Sequence, residues 1–178
     1  METIPYFLAD SGIGLVQTRW DYYNRDYSLL THLQAVALDG HFMIEQKTRS
    51  DNGLWFNFNG TAGIWNKDCI YDAGNWMGDT LTEDLDLSYR AQIKGWRMIY
   101  EREVGNLSEL PITVPAYKTQ QFRWAKGAFQ CARKLLKKII ASRAKASSKL
   151  EAMIHLLNYG AYLFIALNYL LILPMAKV

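Results

Sequence analysis

Cysteine is nearly absent from this sequence of 178 residues. The two cysteines, Cys69 and Cys131, lie far apart, and neither belongs to a Cys-x-x-Cys pair. Their number and spacing argue against a disulfide framework and favour a reducing compartment. The N-terminus has no basic stretch followed by an apolar run, so no signal peptide is predicted. Internal repeats and low-complexity tracts are also lacking, and the 50% hydrophobic content predicts a folded domain with a core.

Acidic residues are missing from one long segment. Residues 118–149 contain ten Lys or Arg residues and no Asp or Glu, whereas residues 1–117 contain nine basic and sixteen acidic residues. The net charge of +3 therefore hides a block of +10 that follows a region of −7. Such a block is typical of proteins that bind nucleic acid, a sugar-nucleotide or an anionic lipid surface. Because no recognised nucleic-acid-binding motif accompanies it, we expect no nucleic acid partner.

An apolar segment follows the basic block directly. Leu150–Leu173 would measure about 36 Å as a helix, which is enough to cross a bilayer. Basic residues beside such a segment mark the cytoplasmic side of a membrane. His155, Asn158 and Asn168 interrupt the segment and would face neighbouring helices or a polar channel. We predict a transmembrane helix over residues 149–174, with a buried helix of a larger soluble protein as the alternative.

The basic block itself has the periodicity of a helix. Apolar residues such as Phe122, Leu135 and Ile139 recur along one stripe between Tyr117 and about Lys145, and basic residues cover much of the rest. This pattern predicts an amphipathic helix that lies in a membrane interface, over residues 116–148. The alternative is a solvated helix packed on a core.

Helices and strands are predicted to alternate along the first 115 residues. The end of a helix is predicted at Ile4–Ala9, and helices are predicted at Asp26–Arg49, Asn66–Ala73 and Thr82–Lys94. Strands are predicted at Ile13–Trp20, Leu54–Phe58, Trp96–Tyr100 and Val104–Leu107. Gly40 is expected to weaken the middle of the second helix, because glycine is a poor helix former. The glycines within Asn59–Gly63 allow the backbone to approach another group closely.

The most informative motif is Gln120-Gln121-Phe122-Arg123-Trp124, which has the form Q-x-x-R-W. The guanidinium of Arg123 offers a fixed fork of donors that suits a diphosphate. The indole of Trp124 offers a flat surface on which a sugar ring can stack. The alternative is a basic amphipathic helix in which Trp124 only anchors the chain at a membrane surface.

A second motif, Thr82-Glu83-Asp84, lies 36 residues before Gln120. With Thr82 as the N-cap, both acids fall in the first helical turn, where the helix dipole favours ionised carboxylates. Asp84 is the candidate base, although an acidic first turn is also ordinary helix-start chemistry. Asp84-Leu85-Asp86 also has the form of a D-x-D metal motif, but no apolar strand precedes it. We predict instead that Asp86 and Arg90 form an ion pair on the helix surface.

The order of these features resembles the processive, inverting glycosyltransferases of family 2, such as cellulose synthases, mannan synthases and ceramide glucosyltransferases. The resemblance covers nearly the whole chain. It includes the helix Gly40-His41-Phe42-Met43-Ile44-Glu45-Gln46 and the loop Phe58-Asn59-Gly60-Thr61-Ala62-Gly63. It implies an α/β fold in which residues 1–115 form the C-terminal part of a GT-A, Rossmann-related catalytic domain. The interface helix and the transmembrane helix would follow this part.

The same resemblance implies a role for each motif residue. Asp84 would be the catalytic base, beside Glu83. Gln120 and Arg123 would bind the diphosphate of the donor. The acceptor would be bound by the remaining motif residues, Trp124, Asn59, Gly60 and Thr61. His32, His41 and His155 have no partner at metal-ligand spacing and are predicted to be helix-face or packing residues.

The resemblance also implies the partners of the enzyme. The donor would be a UDP-hexose or a GDP-hexose, and the acceptor a glycan or a lipid. The catalytic part would be cytoplasmic, at the cell inner membrane or plasma membrane. Relatives carry nucleotide-binding strands and a D-x-D metal site that do not precede Ile4, so Mg²⁺ or Mn²⁺ would have ligands outside this chain. We therefore expect this chain alone to be inactive. The alternative function is a non-catalytic, membrane-anchored remnant or a binding module.

Overall fold

A three-stranded sheet supports the first part of the chain. The computed structural model describes residues 2–175, with side chains described through residue 172. Strand β1 (Ile13–Tyr22) is central, β2 (Gly63–Trp65) pairs with it in antiparallel fashion, and β3 (Arg97–Ser108) pairs with it in parallel. Leu15 and Val16 point to opposite faces of β1, and both are fully buried. The central strand is therefore covered on both faces, which fits the predicted α/β class.

Eight helices accompany these strands in the described part of the chain. They are α1 (Ile4–Ala9), α2 (Leu29–Asp39), α3 (Gln46–Asp51), α4 (Lys67–Asp72), α5 (Glu83–Ile93), α6 (Val114–Ala141), α7 (Ala146–Leu157) and α8 (Gly160–Met175). A π-helical segment, Gly40–Glu45, joins α2 to α3 without a break. Gly40 therefore does not interrupt the predicted helix. From this residue the helix instead changes from the α form to the wider π form. The side chain of Ser28 caps the start of α2 by accepting from the backbone N–H of Thr31.

Two strand predictions are corrected by the structure. The strands predicted at Trp96–Tyr100 and Val104–Leu107 are one continuous strand, β3. The segment Leu54–Phe58 is not a strand, because side chains of α5 satisfy its backbone. Gln92 Oε1 accepts from Phe56 N at 3.2 Å, and Gln92 Nε2 donates to Phe56 O at 2.8 Å. Ser88 Oγ accepts from Phe58 N at 2.8 Å. The segment is thus attached to a helix.

Helix α5 is the most buried helix of the fold. Every residue from Leu85 to Gln92 is buried. Asp86 and Arg90 do form the predicted ion pair, at 2.7 Å, but they form it in the interior: Asp86 is fully buried. Lys134 of α6 lies 2.9 Å from the other oxygen of Asp86. The surface location predicted for this pair is therefore wrong, since α4 and α6 cover this face of α5.

The described C-terminal part of the chain forms three helices, whereas the sequence predicted one interface helix and one transmembrane helix. Helix α6 ends at Ala141, and the segment predicted as one transmembrane helix is divided between α7 and α8. No single helix within residues 2–175 is long and apolar enough to cross a membrane. Ala146–Leu157 and Gly160–Ile172 meet that requirement together, as a pair bent by 60°. The prediction of one continuous helix over Leu150–Leu173 is wrong, because the chain bends near Asn158.

Helix α6 has two apolar faces. Gly127, Leu135 and Ile139 lie on the face that packs against α5 and α7. Phe122, Phe129 and Ile140 are exposed on another face, among basic residues. The alternative description, a helix packed on a core, is therefore confirmed for one face. The location of the exposed apolar stripe in a membrane interface stays a prediction.

Candidate active site

A cavity of about 350 Å³ brings the two sequence motifs together. Its wall is built from the π segment, the loop at residues 57–59, the start of α5, the first half of α6 and the bend between α7 and α8. Of the predicted site residues, Asn59, Asp84, Gln120 and Trp124 line this cavity. Trp20, Phe42 and Tyr159 add aromatic surface to the same wall. The cavity thus combines flat apolar surfaces with amide and carboxylate groups, which is typical of a carbohydrate site.

Close helix packing fixes the position of Asp84. A Cβ atom added at Gly127 of α6 would lie 2.4 Å from Thr82 Oγ1 and 2.5 Å from Thr82 Cγ2. The absence of a side chain at Gly127 therefore lets the start of α5 lie directly on α6. Thr82 occupies the N-cap position of α5, but its hydroxyl makes no capping bond and lies 3.6 Å from Cys131 Sγ of α6. This contact places Asp84 close to the face of α6 that carries Trp124.

The Asp84 carboxylate lies between its own helix and a glycine turn. Its Oδ1 accepts from the backbone N–H of Leu85 at 2.8 Å. A Cβ at Gly60 would lie 3.2 Å from Oδ2, and the φ angle of Gly60 is +78°. Both the close approach and the left-handed backbone favour glycine at this position. The turn therefore packs against the carboxylate without contributing a side chain.

Burial raises the pKa of Asp84 to about 6. The bond from the Leu85 N–H opposes this rise, the neighbouring Glu83 adds to it, and the positive charge of Arg123 lowers the pKa. A carboxylate with a pKa of about 6 is mostly ionised at neutral pH, and it is a stronger base than an ordinary aspartate. Asp84 therefore has the electrostatics of a general base.

The two predicted donor residues of α6, Gln120 and Arg123, lie in different places. Gln120 and Trp124 are four residues apart, so both face the cavity. Arg123 is exposed and lies outside the cavity wall, although it is near enough to affect Asp84. Glu83 is also exposed and outside the wall. The α6 motif therefore presents its amide and indole to one space and its guanidinium to another.

Gly60 and Thr61 lie beside the cavity and not in its wall. The buried amide of Gln17, on β1, organises their turn. Gln17 Nε2 donates to Thr61 O at 3.2 Å and to Ala62 O at 2.8 Å. Gln17 Oε1 accepts from the backbone N–H of Asn59 at 3.1 Å. Sequence reasoning missed Gln17, and the signal that could have found it is an amide within the apolar stretch of a central strand.

Sequence reasoning also missed the place of two histidines. His41 of the π segment and His155 of α7 both line the cavity. The Nδ1 atom of His155 lies 2.6 Å from the hydroxyl of the buried Tyr89. His41 contacts Asn59 and Glu45. Both are packing residues, as predicted, because the His41 ring lies against Phe42 and the His155 ring lies against Tyr89. Each also makes a polar contact and lines the cavity, which the sequence did not reveal.

The described residues do not fit a divalent cation. Within residues 2–175, no group of three or more His, Cys, Asp or Glu side chains is placed to hold a metal ion. Asp86, the second acid of the D-x-D-like sequence, is engaged by Arg90 and Lys134. We therefore derive no step of the chemistry through a metal held by these residues.

Comparison with known proteins gives a family match over almost the entire chain. Residues 1–176 match the model of a protein family described as glycosyl transferase family group 2. A probable glucomannan 4-beta-mannosyltransferase 4 from Oryza sativa subsp. japonica is 43% identical over 143 residues. That alignment covers 80% of this chain and 26% of the rice protein.

Two further relatives show the same pattern. Glucomannan 4-beta-mannosyltransferase 1 from Cyamopsis tetragonoloba is 43% identical over 79% of this chain and 27% of its own length. Glucomannan 4-beta-mannosyltransferase 9 from Arabidopsis thaliana is 41% identical over 79% of this chain and 26% of its own length. The chain thus spans about a quarter of the length of these relatives.

Proposed function

Because this chain belongs to the family 2 glycosyltransferases and resembles their cellulose synthase-like members, we propose that it forms the acceptor side of a membrane-bound, inverting hexosyltransferase. The enzyme transfers a hexose from a UDP-hexose or GDP-hexose to a polysaccharide or lipid acceptor. The observation that carries this proposal is the cavity whose wall contains both Asp84, a half-buried carboxylate with a raised pKa, and the indole of Trp124.

The reaction follows from the chemistry of these groups. An acceptor hydroxyl in the cavity attacks the anomeric carbon of the hexose while Asp84 takes the proton of that hydroxyl. A new carbon–oxygen bond forms on one side of the anomeric carbon. The bond to the diphosphate breaks on the other side, and its electron pair leaves with the nucleoside diphosphate. Attack opposite the leaving group inverts the anomeric configuration.

The α6 motif supplies binding on both sides of this reaction. Trp124 stacks against the acceptor ring, and Gln120 contributes an amide in the same wall. Arg123 lies outside the wall and can meet the diphosphate, whose two negative charges suit a planar fork of donors. Mg²⁺ or Mn²⁺, which we propose for the enzyme at the length of its relatives, would help to neutralise the leaving diphosphate.

Membrane attachment is supported by three features of the C-terminal half. These features are the basic block at residues 118–149, the exposed apolar stripe of α6 and the bent apolar pair formed by α7 and α8. We propose that the bent pair enters the bilayer, at the cell inner membrane or plasma membrane. The basic block and the side of the cavity that carries Asp84 and Trp124 then remain on the cytoplasmic side.

Product analysis tests the proposed reaction. Residues 1–175 are grafted in place of the matching quarter of the Cyamopsis tetragonoloba relative, which gives a grafted enzyme with the relatives' full length. Membranes that contain it are supplied with an α-linked GDP-hexose or UDP-hexose, and the new linkage is assigned by NMR. We expect a β-linked product. An α-linked product would rule out inversion, and hydrolysis without transfer would rule out the acceptor site.

A further inference from the structure

A path of polar contacts leads from the cavity wall to helix α7. It runs through Gln46, Asn59, His41, Glu45, Arg49 and Glu151. Three of these residues, Asn59, His41 and Glu45, line the cavity. The path therefore connects the space proposed for the acceptor with the helix that precedes the bend.

Gln46 sets the orientation of the Asn59 amide. Gln46 is fully buried, and its Nε2 donates to the backbone oxygen of Asn57 at 3.0 Å. The same nitrogen donates to Asn59 Oδ1 at 2.8 Å. Because a backbone oxygen can only accept, the Gln46 amide has only one satisfactory orientation. Asn59 consequently turns its oxygen towards Gln46 and its nitrogen towards His41.

The Asn59 amide in turn sets the tautomer of His41. Asn59 Nδ2 and His41 Nε2 are 3.3 Å apart. The amide nitrogen can only donate, so His41 Nε2 must be the unprotonated nitrogen of the ring. The proton of a neutral imidazole is then on Nδ1, which lies 3.0 Å from Glu45 Oε2. Each partner therefore has a defined role as donor or acceptor.

The π segment carries both partners of the bond between His41 and Glu45. His41 and Glu45 both lie within Gly40–Glu45, where the helix is wider than an α-helix. Such segments are often found at functional sites. The far end of the path is held by Arg49, which lies 3.5 Å from Glu45 and binds Glu151 of α7 at 2.8 Å. The hydrogen bond from His41 also keeps the pKa of Glu45 below its ordinary value, so the carboxylate remains the acceptor.

We propose that His41 is a positioning residue for the acceptor, and that Asn59 is the residue through which it acts. His41 occupies one hydrogen of Asn59 Nδ2 and fixes the plane of the amide. The second hydrogen of Nδ2 is left to donate to a hydroxyl of an acceptor sugar in the cavity. The inference rests on the proposed function, since it assumes that the cavity binds the acceptor.

Acceptor binding by the entire chain in lipid nanodiscs tests this role. The probe is β-1,4-linked mannohexaose, chosen because the relatives are mannosyltransferases. His41→Ala should weaken binding by roughly three- to tenfold, as expected for one misaligned hydrogen bond. His41→Gln should stay within about twofold of wild type, because its oxygen can accept from Asn59. The matched control is His32→Ala: His32 also pairs with a carboxylate, Asp26, but it lies outside the cavity.

A double-mutant cycle shows whether His41 acts through Asn59. If it does, the double variant with His41→Ala and Asn59→Ala should bind no more weakly than Asn59→Ala alone. Additive losses would overturn the proposal, because His41 would then act by another route. Unchanged binding by His41→Ala, with the wild type binding normally, would overturn it as well.

Nitrogen NMR of the His41 ring gives a readout that needs no ligand. We expect the neutral tautomer with its proton on Nδ1 in the free protein. A proton on Nε2 would overturn the proposal, whatever the binding data show. If the wild type has the expected tautomer but does not bind mannohexaose, the proposed acceptor site has failed and the inference fails with it. A wrong His41 tautomer and a failed acceptor site are therefore distinguishable.

Discussion

Burial sets the pH range in which Asp84 can act. The pKa of its carboxyl is raised to about 6, chiefly by desolvation. The base must be ionised, so the transfer rate should fall as the pH drops through about 6 and should be level above that value. The measurement is the pH profile of kcat/KM for acceptor in the grafted enzyme. Donor binding, followed separately by a nucleotide-displacement assay, should change little across the same range.

The pH at which the transfer rate begins to fall distinguishes Asp84 from an exposed carboxylate with an ordinary pKa. An exposed aspartate in a first helical turn would titrate near its ordinary pKa of about 3.9. A transfer rate that falls only at a pH of about 3.9 would mean that the carboxylate which limits the rate is not desolvated, and so is not Asp84 in this structure.

Trp124 and Arg123 are neighbours in sequence with different surroundings. Trp124 lines the cavity, so Trp124→Ala should raise the acceptor KM and leave donor binding nearly unchanged. Trp124→Phe should be milder, because an aromatic face remains. Arg123→Lys should raise the donor KM, since an ammonium cannot reproduce a bidentate fork. The measurement is steady-state kinetics with each substrate varied, per molecule of enzyme inserted in the membrane.

A membrane anchor at Trp124 would give a different result. Trp124→Ala would then lower the amount of inserted enzyme, and the specific activity of the inserted fraction would equal that of wild type. That outcome would remove Trp124 from the acceptor site.

Some residues of the site could be found from sequence, and others could not. Asp84, Gln120 and Trp124 lie in motifs whose spacing points to sugar transfer, and the structure places all three in one cavity. Gln17 belongs to no such motif, and His41 lies in a segment that the family resemblance includes but for which it implies no role. Their importance depends on contacts with Asn59, which follows them by 42 and 18 residues, and the sequence does not reveal such contacts.

At the scale of elements, the contact between α5 and α6 positions the base. Gly127→Ala would place a methyl group 2.4 Å from Thr82 Oγ1, so α5 would have to move away from α6. We expect a loss of about 1–3 kcal/mol in the free energy of unfolding, as for other overpacked contacts, together with a loss of turnover. The control is Gly78→Ala, because nothing lies within 4 Å of the added Cβ there. Thermal unfolding and transfer rate are measured for both. Normal activity in Gly127→Ala would show that this contact does not place Asp84.

Element boundaries were predictable where local signals are strong. The helix at Ile4–Ala9 and the strand that begins at Ile13 are confirmed, and α5 begins directly after Thr82 as predicted. The bend between α7 and α8 was missed, because apolar composition continues around it and only Asn158 and Gly160 mark it locally. The Asp86–Arg90 pair was placed on the surface because its i, i+4 spacing is the same for exposed and buried helices.

At the scale of the whole molecule, the proposed function requires attachment to a membrane. The chain should remain in the membrane fraction after a carbonate wash, held by the bent pair formed by α7 and α8. Combining Leu163→Asp with Leu170→Asp should release it, since a central charge costs roughly 2.5–3.5 kcal/mol per residue. Both leucines are exposed. The control is Leu107→Asp, an equally exposed leucine at the end of β3. Recovery of the wild-type chain in the soluble fraction would contradict the proposed attachment.

The family resemblance implied the α/β class, and the order of most helices and strands could be read from periodicity along the chain. The sheet order β2-β1-β3 could not, because β2 is only three residues long and pairs with a strand some 46 residues earlier. The attachment of residues 54–58 to α5 was also hidden, since it depends on the side chains of Ser88 and Gln92. Contacts between distant side chains account for most of what the sequence did not predict.

The central claim is that Asp84 takes the proton from the acceptor. Asp84→Asn is a conservative test, because asparagine keeps an oxygen that can accept from the Leu85 N–H. The raised pKa means that the folded state holds its proton more tightly than the unfolded state, so stability falls as the pH rises from about 4 to about 6. Removing this partly desolvated charge should therefore stabilise the protein at pH 7.5, by at most about 3 kcal/mol.

The most direct measurement is single-turnover hexose transfer by Asp84→Asn in the grafted enzyme at pH 7.5, with unfolding temperature and donor affinity measured on the same preparation. We expect a transfer rate lower by about 10²–10⁴, near-normal donor affinity and an unfolding temperature no lower than that of wild type. Asp68→Asn, an exposed acid in the first turn of α4, is the matched control and should transfer at the wild-type rate. Transfer by a folded, donor-binding Asp84→Asn at the wild-type rate would contradict the claim.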